Sequence, residues 1–429
     1  MKHSLLASAV ASVLAASAPS WAQQVKPVEK ITVTASPLGR GEAELAQPAS
    51  VLSEEELRRK RAASIGDTLA QEAGVQSSSF GAGAGRPIIR GLDGPRVRVL
   101  ENGIGTGDAS SVSPDHAVTT EALRAEQIEI LRGPASLLYG SGAIGGVVNV
   151  VSRTIPRERV DGTSGEVEAR IGGANRERTG SVALDAGAGG AAFHLDAFRR
   201  RTADYDTPLG RLANSDVDMR GAGAGVSWVG RGGFAGVGVQ RLESDYGVPT
   251  GEGVRIVMDQ KRHEVAAEAA EPLPGFNRLR LRAGHSDYRH LEVEPTGEVA
   301  TTFTNRAREA RLELRHAGTL SGTFGVQLQG ARLAAIGEEA ILPRSSSRSR
   351  AVFLVEEKEL GAWTLDAGVR AESETRRPEG DLPARDFRLL TPALGAVLRL
   401  GDYRVALSAT QAQRAPSVEE LYSNGAHHA

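Results

Sequence analysis

Ile128-Glu129-Ile130-Leu131-Arg132-Gly133-Pro134-Ala135, followed shortly by Tyr139-Gly140-Ser141-Gly142-Ala143-Ile144-Gly145-Gly146-Val147-Val148-Asn149-Val150-Val151, is the stretch whose reading decides the fold. Its first four residues are β-prone, and Arg132-Gly133-Pro134 interrupts them with strong turn chemistry. A short helical piece fits before Gly140. Gly145-Gly146 then turns the chain into a second run rich in valine, whose near-continuous apolar character suits a strand buried on both faces. The glycines around Gly140 could cradle a phosphate, but no Gly-Lys-Ser/Thr and no dinucleotide spacing accompanies them.

Working toward the N-terminus, Arg96-Val97-Arg98-Val99-Leu100-Glu101 alternates as a strand and closes on Asn102-Gly103, a hairpin turn signal. Pro87-Ile88-Ile89-Arg90-Gly91 follows a glycine-rich loop over residues 81–85. Ser53-Glu54-Glu55-Glu56 reads as a capping box opening a charged helix through Arg61, and Ser64-Ile65-Gly66-Asp67-Thr68-Leu69 as a second short helix. Residues 45–155 are thus mixed α and β. The run from 128 to 151 closely resembles the plug of TonB-dependent outer-membrane receptors, and the segments at 88–91 and 99–103 are similar to that family's earlier plug signature. Arg90 and Arg132 are expected to be buried arginines that pair acidic groups of the plug or barrel wall.

At the start of the chain, Lys2 and His3 precede an apolar stretch over residues 5–18, and Ser20-Trp21-Ala22 ends in a small-x-small pattern. This is the layout of a secretory signal peptide over residues 1–22. Between Pro27 and Pro37, Glu29, Lys30, Ile31, Thr32, Val33, Thr34 and Ala35 form a short β-prone run suited to strand addition on a partner. In a region of linker over residues 23–44, it resembles the TonB box. The resemblance implies TonB and its inner-membrane energising complex as partners, the bacterial outer membrane as location and outer-membrane lipid as surroundings.

After Pro156 the texture becomes repetitive, with segments of roughly ten residues alternating apolar and polar between turns. Leu279, Leu281 and Ala283 interleave with Arg278, Arg280 and Arg282; Leu312 and Leu314 with Arg311, Glu313 and Arg315. Charges inside such strands suit a wet barrel lumen better than a sandwich core. About 13 such strands fall between residues 165 and 413. The expected fold is therefore a β-barrel membrane protein, an α+β plug over residues 45–155 inside an antiparallel barrel over 156–429. Members of the resembled family use about 22 strands, an even number as bacterial barrels require. The chain is accordingly expected to be C-terminally truncated. A net charge of -2 predicts no nucleic-acid partner, and the absence of cysteine excludes disulfides, cysteine-based zinc fingers and thiol nucleophiles.

No catalytic constellation is present: Gly-x-Ser-x-Gly and His-Glu-x-x-His are missing, and no catalytic cofactor is implied. Histidines stand beside carboxylates at Asp115-His116, at His263-Glu264, around Asp287, His290 and Glu292, and near His427-His428. Imidazole with carboxylate is a natural cysteine-free ligand set for a borderline divalent ion such as zinc. Gly105-Thr106-Gly107-Asp108 with Ser113-Pro114-Asp115-His116-Ala117, Asp287-Tyr288-Arg289-His290, the stretch from Ala310 to His316, and Arg414 with Pro416, Ser417, Glu420, Leu421, Tyr422 and Gly425 resemble the zinc-receptor (ZnuD-like) branch of the family. That resemblance implies zinc as transported ligand and a site built from Asp115, His116, Glu292 and His427. Adjacent Asp115 and His116 would need a turn, which Pro114 favours. The chain departs from the branch over residues 247–262, where a long loop rich in His, Asp and Cys is replaced by a short one without His or Cys. Haem or a metal chelate is the alternative cargo within the family, since Arg414-Ala415-Pro416 is also similar to a segment of haem receptors. A passive porin or surface adhesin is the alternative from another class.

Overall fold

The computed structural model describes residues 44–133, 136–337 and 340–424, together with Val33, Thr34, Leu38 and Gly41. The leader expected over residues 1–22 lies outside the described residues, as do Glu29, Lys30, Ile31, Thr32, Ala35, His427 and His428.

The N-terminal portion is a small α+β unit: β1 (Ala49–Leu52), α1 (Glu54–Lys60), α2 (Ile65–Leu69), β2 (Val75–Ser77), β3 (Pro87–Ile89), β4 (Val97–Glu101), β5 (Ile104–Gly105), β6 (Ala125–Arg132), α3 (Ser136–Tyr139) and β7 (Gly146–Ser152). Its main sheet runs β1-β6-β7-β4-β5, with β4 and β7 parallel. The deciding stretch forms β6, α3 and β7, as its turn residues imply. Ile128, Ile130, Val148 and Val150 pack on one face against Leu57 and Leu69 of the helices. Leu131 and Val147 pack on the other face with Leu100 and Tyr139. Burial of both faces explains the continuous apolar run of β7.

The expected caps form. Ser53 N donates to Glu56 Oε2 at 2.9 Å, and the Ser53 side chain caps the N–H of Glu56. Asn102 and Gly103 both take positive φ, 53° and 80°, the requirement of a type I′ hairpin between β4 and β5. The two arginines part company. Arg132 is buried, its Nε donating to Ala73 O at 2.7 Å and Nη1 to Ser50 Oγ at 2.6 Å. Arg90 is exposed, contrary to expectation, because it occupies the tight turn between Ile89 and Leu92 with φ of 50°, and its side chain runs over the plug surface beside Gly74 and Gly133.

The rest is one antiparallel sheet of 13 strands in sequential order, interrupted only by the small β11–β12 hairpin (Tyr205–Thr207, Gly210–Leu212). Its strands are β8 (Gly162–Ile171), β9 (Arg178–Ala188), β10 (Ala191–Arg201), β13 (Val217–Gly230), β14 (Gly233–Gly247), β15 (Arg255–Leu273), β16 (Phe276–Val293), β17 (Val299–His316), β18 (Ser321–Gly337), β19 (Ser345–Leu360), β20 (Trp363–Pro378), β21 (Arg385–Leu400) and β22 (Tyr403–Thr410). The number equals that expected from the alternation. β8 and β22 are the two ends of the sheet.

Alternation sorts each strand. Outward positions are apolar and exposed: Val226, Val237 and Val265 stand side by side on β13, β14 and β15 at 39, 50 and 43% exposure. A contiguous apolar band of this kind is a liability in water and the expected face toward lipid. Exposed Trp228, Trp363 and Tyr403 lie beside the tight reversals at residues 231–232, 361–362 and 401–402, an aromatic girdle on the short-turn rim. Longer loops, at 202–216, 248–254, 294–298 and 379–384, occupy the opposite rim. Among the described residues no helix is long and apolar enough to cross a membrane.

Inward positions are polar and charged, but many are buried rather than wet, because the plug fills the space they face. Arg98 of the plug pairs with Glu309 of β17 at 2.6 Å, and Arg124 with Asp196 of β10 at 2.7 Å. Arg200 of β10 reaches Glu121 of the plug at 2.7 Å, and Arg262 of β15 donates to the Gly105 carbonyl at 2.7 Å. Where the chain leaves the plug, a Cβ on Gly225 of β13 would lie 1.6 Å from the Thr154 carbonyl oxygen, so the passing backbone admits only glycine there.

The outward band yields a direct test. Val237→Arg places a cation among Val226 and Val265 in the apolar band and should destabilise the barrel by about 2–4 kcal/mol. A lowered urea midpoint for unfolding from lipid vesicles would register it; an unchanged midpoint would place Val237 outside the bilayer.

Candidate metal centre

Between β5 and β6 the chain rises as a loop, residues 106–121, toward the long-loop rim of the barrel. A small apolar cluster, in which Ala109 and Ala117 pack with Tyr246, Ile256 and Met258 of the wall, and a set of polar bonds hold it. Asp108 ties its two arms together: Oδ1 accepts from Ser110 N at 3.0 Å, and Oδ2 from Thr119 N at 3.0 Å. The wall grips its backbone through Gln260 Nε2 to Thr106 O at 3.0 Å and Asn305 Nδ2 to Asp108 O at 2.9 Å. Buried Tyr246 of β14 donates its hydroxyl to Asp115 O at 2.8 Å and accepts from Ala117 N at 2.9 Å. At the apex Ser113-Pro114-Asp115-His116 forms the turn that the adjacent Asp-His pair requires, with His116 N donating to Ser113 O at 3.3 Å. Proline at its second position pre-sets φ for such a turn.

This turn delivers the His116 ring to β16. Tyr288, His290 and Glu292 occupy alternate positions of that strand and so all point inward, whereas Asp287 and Arg289 are exposed on the outer face. His116 Nε2 lies 3.2 Å from Glu292 Oε1, and His290 Nε2 lies 3.7 Å from the same oxygen. One ligand atom from each of His116, His290 and Glu292 lies within 4.8 Å of the others, and all three residues are buried. Asp115 stands beside the group rather than in it: its Oδ2 is 4.0 Å from His116 Nε2, and its Oδ1 accepts from the Ser113 hydroxyl.

The hydrogen bonds orient both rings. His116 Nδ1 is 3.2 Å from the Ala109 carbonyl, which can only accept, so Nδ1 carries a proton and Nε2 faces the carboxylate. Tyr288 Oη lies 2.7 Å from His290 Nδ1, so that the phenol can accept from Nδ1–H and leave Nε2 aimed at Glu292. Burial opposes a charged His116, but its bond to Glu292 and the charges of Asp115 and Glu292 outweigh that, and its pKa is raised. The site attracts positive charge. Phe303 of β17 closes it, stacked on His290 at 4.8 Å and edge-on to His116 at 4.8 Å. Above, α4 (Val418–Tyr422) folds over the rim; Val418 and Tyr422 pack with Phe303, Ile341 and Leu342.

Of the residues singled out in the sequence, His116 and Glu292 thus converge, Asp115 stands beside them, and His427 lies outside the described residues. His290 was not among the expected ligands; its i, i+2 spacing from Glu292 on a strand was the signal that both share a face. The neighbours His263 and Glu264 point to opposite faces of β15, His263 outward and Glu264 inward, and form no joint site.

The model of the TonB-dependent receptor plug domain matches residues 42–147, and that of the TonB-dependent receptor-like β-barrel matches residues 196–429. A vitamin B12 transporter, BtuB, of Photobacterium profundum is 30% identical over 261 residues, 58% of this chain and 42% of that protein. A BtuB of Vibrio vulnificus is 32% identical over 154 residues, 35% of this chain and 25% of that protein. The matched part is less than half the length of either relative. Among solved structures, the copper transporter OprC superposes with a TM-score of 0.77 at 15% identity, over 87% of this chain and 64% of that one. The hemophore receptor HasR of Serratia marcescens gives 0.74 at 16%, over 90% and 66%. Likeness at such identity concerns the fold alone.

The anchoring of the loop is testable without any ligand. Tyr246→Phe removes a buried partner of both Ala117 N–H and Asp115 C=O and should cost about 1–3 kcal/mol. Faster amide exchange at Ala117 together with a lower thermal midpoint would reveal it; unchanged exchange there would mean that the phenol does not hold the turn.

Proposed function

This chain belongs to the family of TonB-dependent receptors, β-barrel proteins of the bacterial outer membrane, and we propose that within it the chain serves active import of a scarce divalent metal ion, zinc in particular. The observation that carries the reading is the convergence of two imidazole Nε2 atoms and one carboxylate oxygen in a buried site toward the long-loop rim. A tetrahedral zinc with bonds near 2.0–2.2 Å holds its ligand atoms about 3.3 Å apart. The separations of 3.2 and 3.7 Å to Glu292 Oε1 suit such a shell after small adjustments. Ala109 and Tyr288 supply the outer hydrogen bonds that metal-bound histidines use. A tetrahedral shell leaves one further position, for which we propose Asp115, beside the group, or His427, both members of the set that the ZnuD-like resemblance implies.

Import then follows from differential binding between two plug states. Asp115 and His116 ride on the plug, His290 and Glu292 on the wall, so any plug movement that separates them dismantles the site. Residues Glu29 to Ala35 would be engaged by TonB on the periplasmic side through strand pairing. Val33 is buried beside Leu100 and Leu131, and Thr34 N donates to Glu129 Oε1 at 2.6 Å, so a pull on this segment reaches the plug sheet directly. The names of the B12 and copper transporters describe those proteins; the small, buried, nitrogen- and oxygen-lined site here favours a bare cation over a corrinoid or haem.

Calorimetric titration of the purified receptor should show one zinc per chain. Glu292→Ala and His290→Ala should each weaken binding at least about tenfold, and Tyr288→Phe about 10–100-fold through loss of ring orientation. Undiminished affinity in Glu292→Ala would remove the proposed site. Addition of haem should leave the Soret band unshifted; a shift abolished by His427→Ala would make haem the cargo. Deletion of residues 29–36 should abolish energised uptake while surface binding persists, and uptake that survives the deletion would indicate a passive pore.

A further inference from the structure

Plug and wall meet through paired charges at Arg98 and Glu309, Arg124 and Asp196, and Arg200 and Glu121. Toward the short-turn end of β14 to β16 the pairing fails. A cavity of about 80 Å³ opens there between plug and wall, and the ionic groups that line it are Arg157, Arg280 and Arg282 against Glu264 and Glu268. Both carboxylates are already engaged. Glu264 accepts from Arg262 Nε at 2.7 Å and from Asn102 Nδ2 at 3.2 Å. Glu268 lies 3.2 Å from Arg278 Nε and 3.0 Å from Arg280 Nε. Glu313, 3.9 Å from Arg280, is bonded at 2.7 Å by Arg311. The cavity is left with an excess of cations.

Arg282 is the extreme case. It shares the inward face of β16 with Arg280, and it makes no ion pair or hydrogen bond among the described residues. Its guanidinium lies against the tip of the β4–β5 hairpin, where a Cβ on Gly103 would collide with Nη1. Arg157, on the segment that leads from the plug to β8, donates to Asn102 Oδ1 at 2.7 Å and has no carboxylate partner among the described residues. Burial, together with the charge of Arg280, holds the Arg157 guanidinium below its usual pKa. A guanidinium taken from water without a counter-ion is costly, so this cavity is stabilised by an anion that the chain itself does not supply.

We propose that this cavity is a binding site for a small inorganic oxyanion, phosphate in particular, held by Arg157, Arg280 and Arg282. A guanidinium presents paired N–H donors that match two oxygens of a phosphate. A volume near 80 Å³ has room for such an ion but not for a nucleotide. Arg157 lies on the plug side of the interface and Arg280 with Arg282 on the wall, so the bound anion ties the two together. Arg282 and Glu292 are ten residues apart on β16, roughly 33 Å at ~3.3 Å per residue. The site is therefore separate from the proposed metal centre, and the inference rests on strand register and charge pairing rather than on the nature of the cargo.

Calorimetric titration of the purified receptor with sodium phosphate, in buffer otherwise free of oxyanions, tests it. One phosphate should bind per chain and raise the thermal midpoint as its concentration grows. Arg282→Gln and Arg157→Gln should each weaken binding at least about tenfold, and Arg282→Lys, which keeps the charge but loses the fork, should fall between. Sulfate should compete. Arg220→Gln, on the outer wall, should bind phosphate as the wild type does. Because Arg282→Gln removes a cation without a partner, its midpoint in the absence of phosphate should be no lower than that of the wild type, which separates lost binding from lost structure. Three results would overturn the proposal: no phosphate bound by the wild type, undiminished binding by both Arg157→Gln and Arg282→Gln, or an equal rise in midpoint with sodium chloride at matched ionic strength. The last would reduce the effect to screening.

Discussion

Everything in this molecule depends on the two-residue period of its strands. A single alternation commits every other side chain to lipid and the rest to the lumen. Val226, Val237 and Val265 face out only because Gly225, Gly238 and Glu264 face in. The inward set is too polar to form a dry core by itself, and buried charges without partners are costly. The plug resolves that constraint. Its Arg98, Glu121 and Arg124 meet Glu309, Arg200 and Asp196, so that two surfaces which would each be poor cores become mutual counter-ions. Same-strand pairs such as Arg311 with Glu313 at 2.7 Å and Arg370 with Glu372 at 2.9 Å neutralise others.

The same arrangement makes a site possible. A loop built of residues 106–121 packs its Ala109 and Ala117 against the wall, and its shape is borrowed from the wall through the hydrogen bonds of Tyr246, Gln260 and Asn305. Those three residues are inward positions on three different strands, so the place of the His116 ring is set by barrel register rather than by local propensity. Glu292 and His290 come from the same register. Slipping β16 by one residue would send both to the outer wall and bring Arg289 inward.

This explains what could be read from the chain and what could not. The β6-turn-α3-β7 passage was legible because its glycines, its proline and its valine run are local signals, and the strand count was legible because alternation needs no partner to be seen. The Asp115–His116 turn was legible through Pro114. Arg90 misled because it was expected to be a buried arginine pairing an acidic group, whereas it occupies a tight exposed turn with positive φ. His263 beside Glu264 misled because proximity in sequence is separation in a strand. His290 was passed over as a ligand although its spacing from Glu292 places both on one face; what the chain could not reveal was that Tyr288 and Phe303 would orient and enclose its ring. The residue that matters there, Phe303, lies on a neighbouring strand and carries no chemical signature.

The polar part of the interface between plug and wall also bears on how the proposed buried ion would be released. Separating two apolar surfaces exposes area to water at a cost of about 25 cal/mol per Å², whereas separating ion pairs exposes groups that water solvates well. The ion pairs named above are of the second kind, so water largely makes up for their loss, whereas the apolar cluster that joins Ala84, Ala117 and Leu123 of the plug to Phe198, Leu242 and Met258 of the wall is opened at the first cost. The proposed metal centre differs in one respect: its donors are divided between plug and wall, His116 on one and His290 with Glu292 on the other. Water can replace Arg98 at Glu309, but it cannot replace an imidazole as a ligand at equal affinity. A movement that is tolerable for the ion pairs of the interface is therefore selectively damaging to the contact that would hold the proposed ion, which is the differential that the proposed import requires.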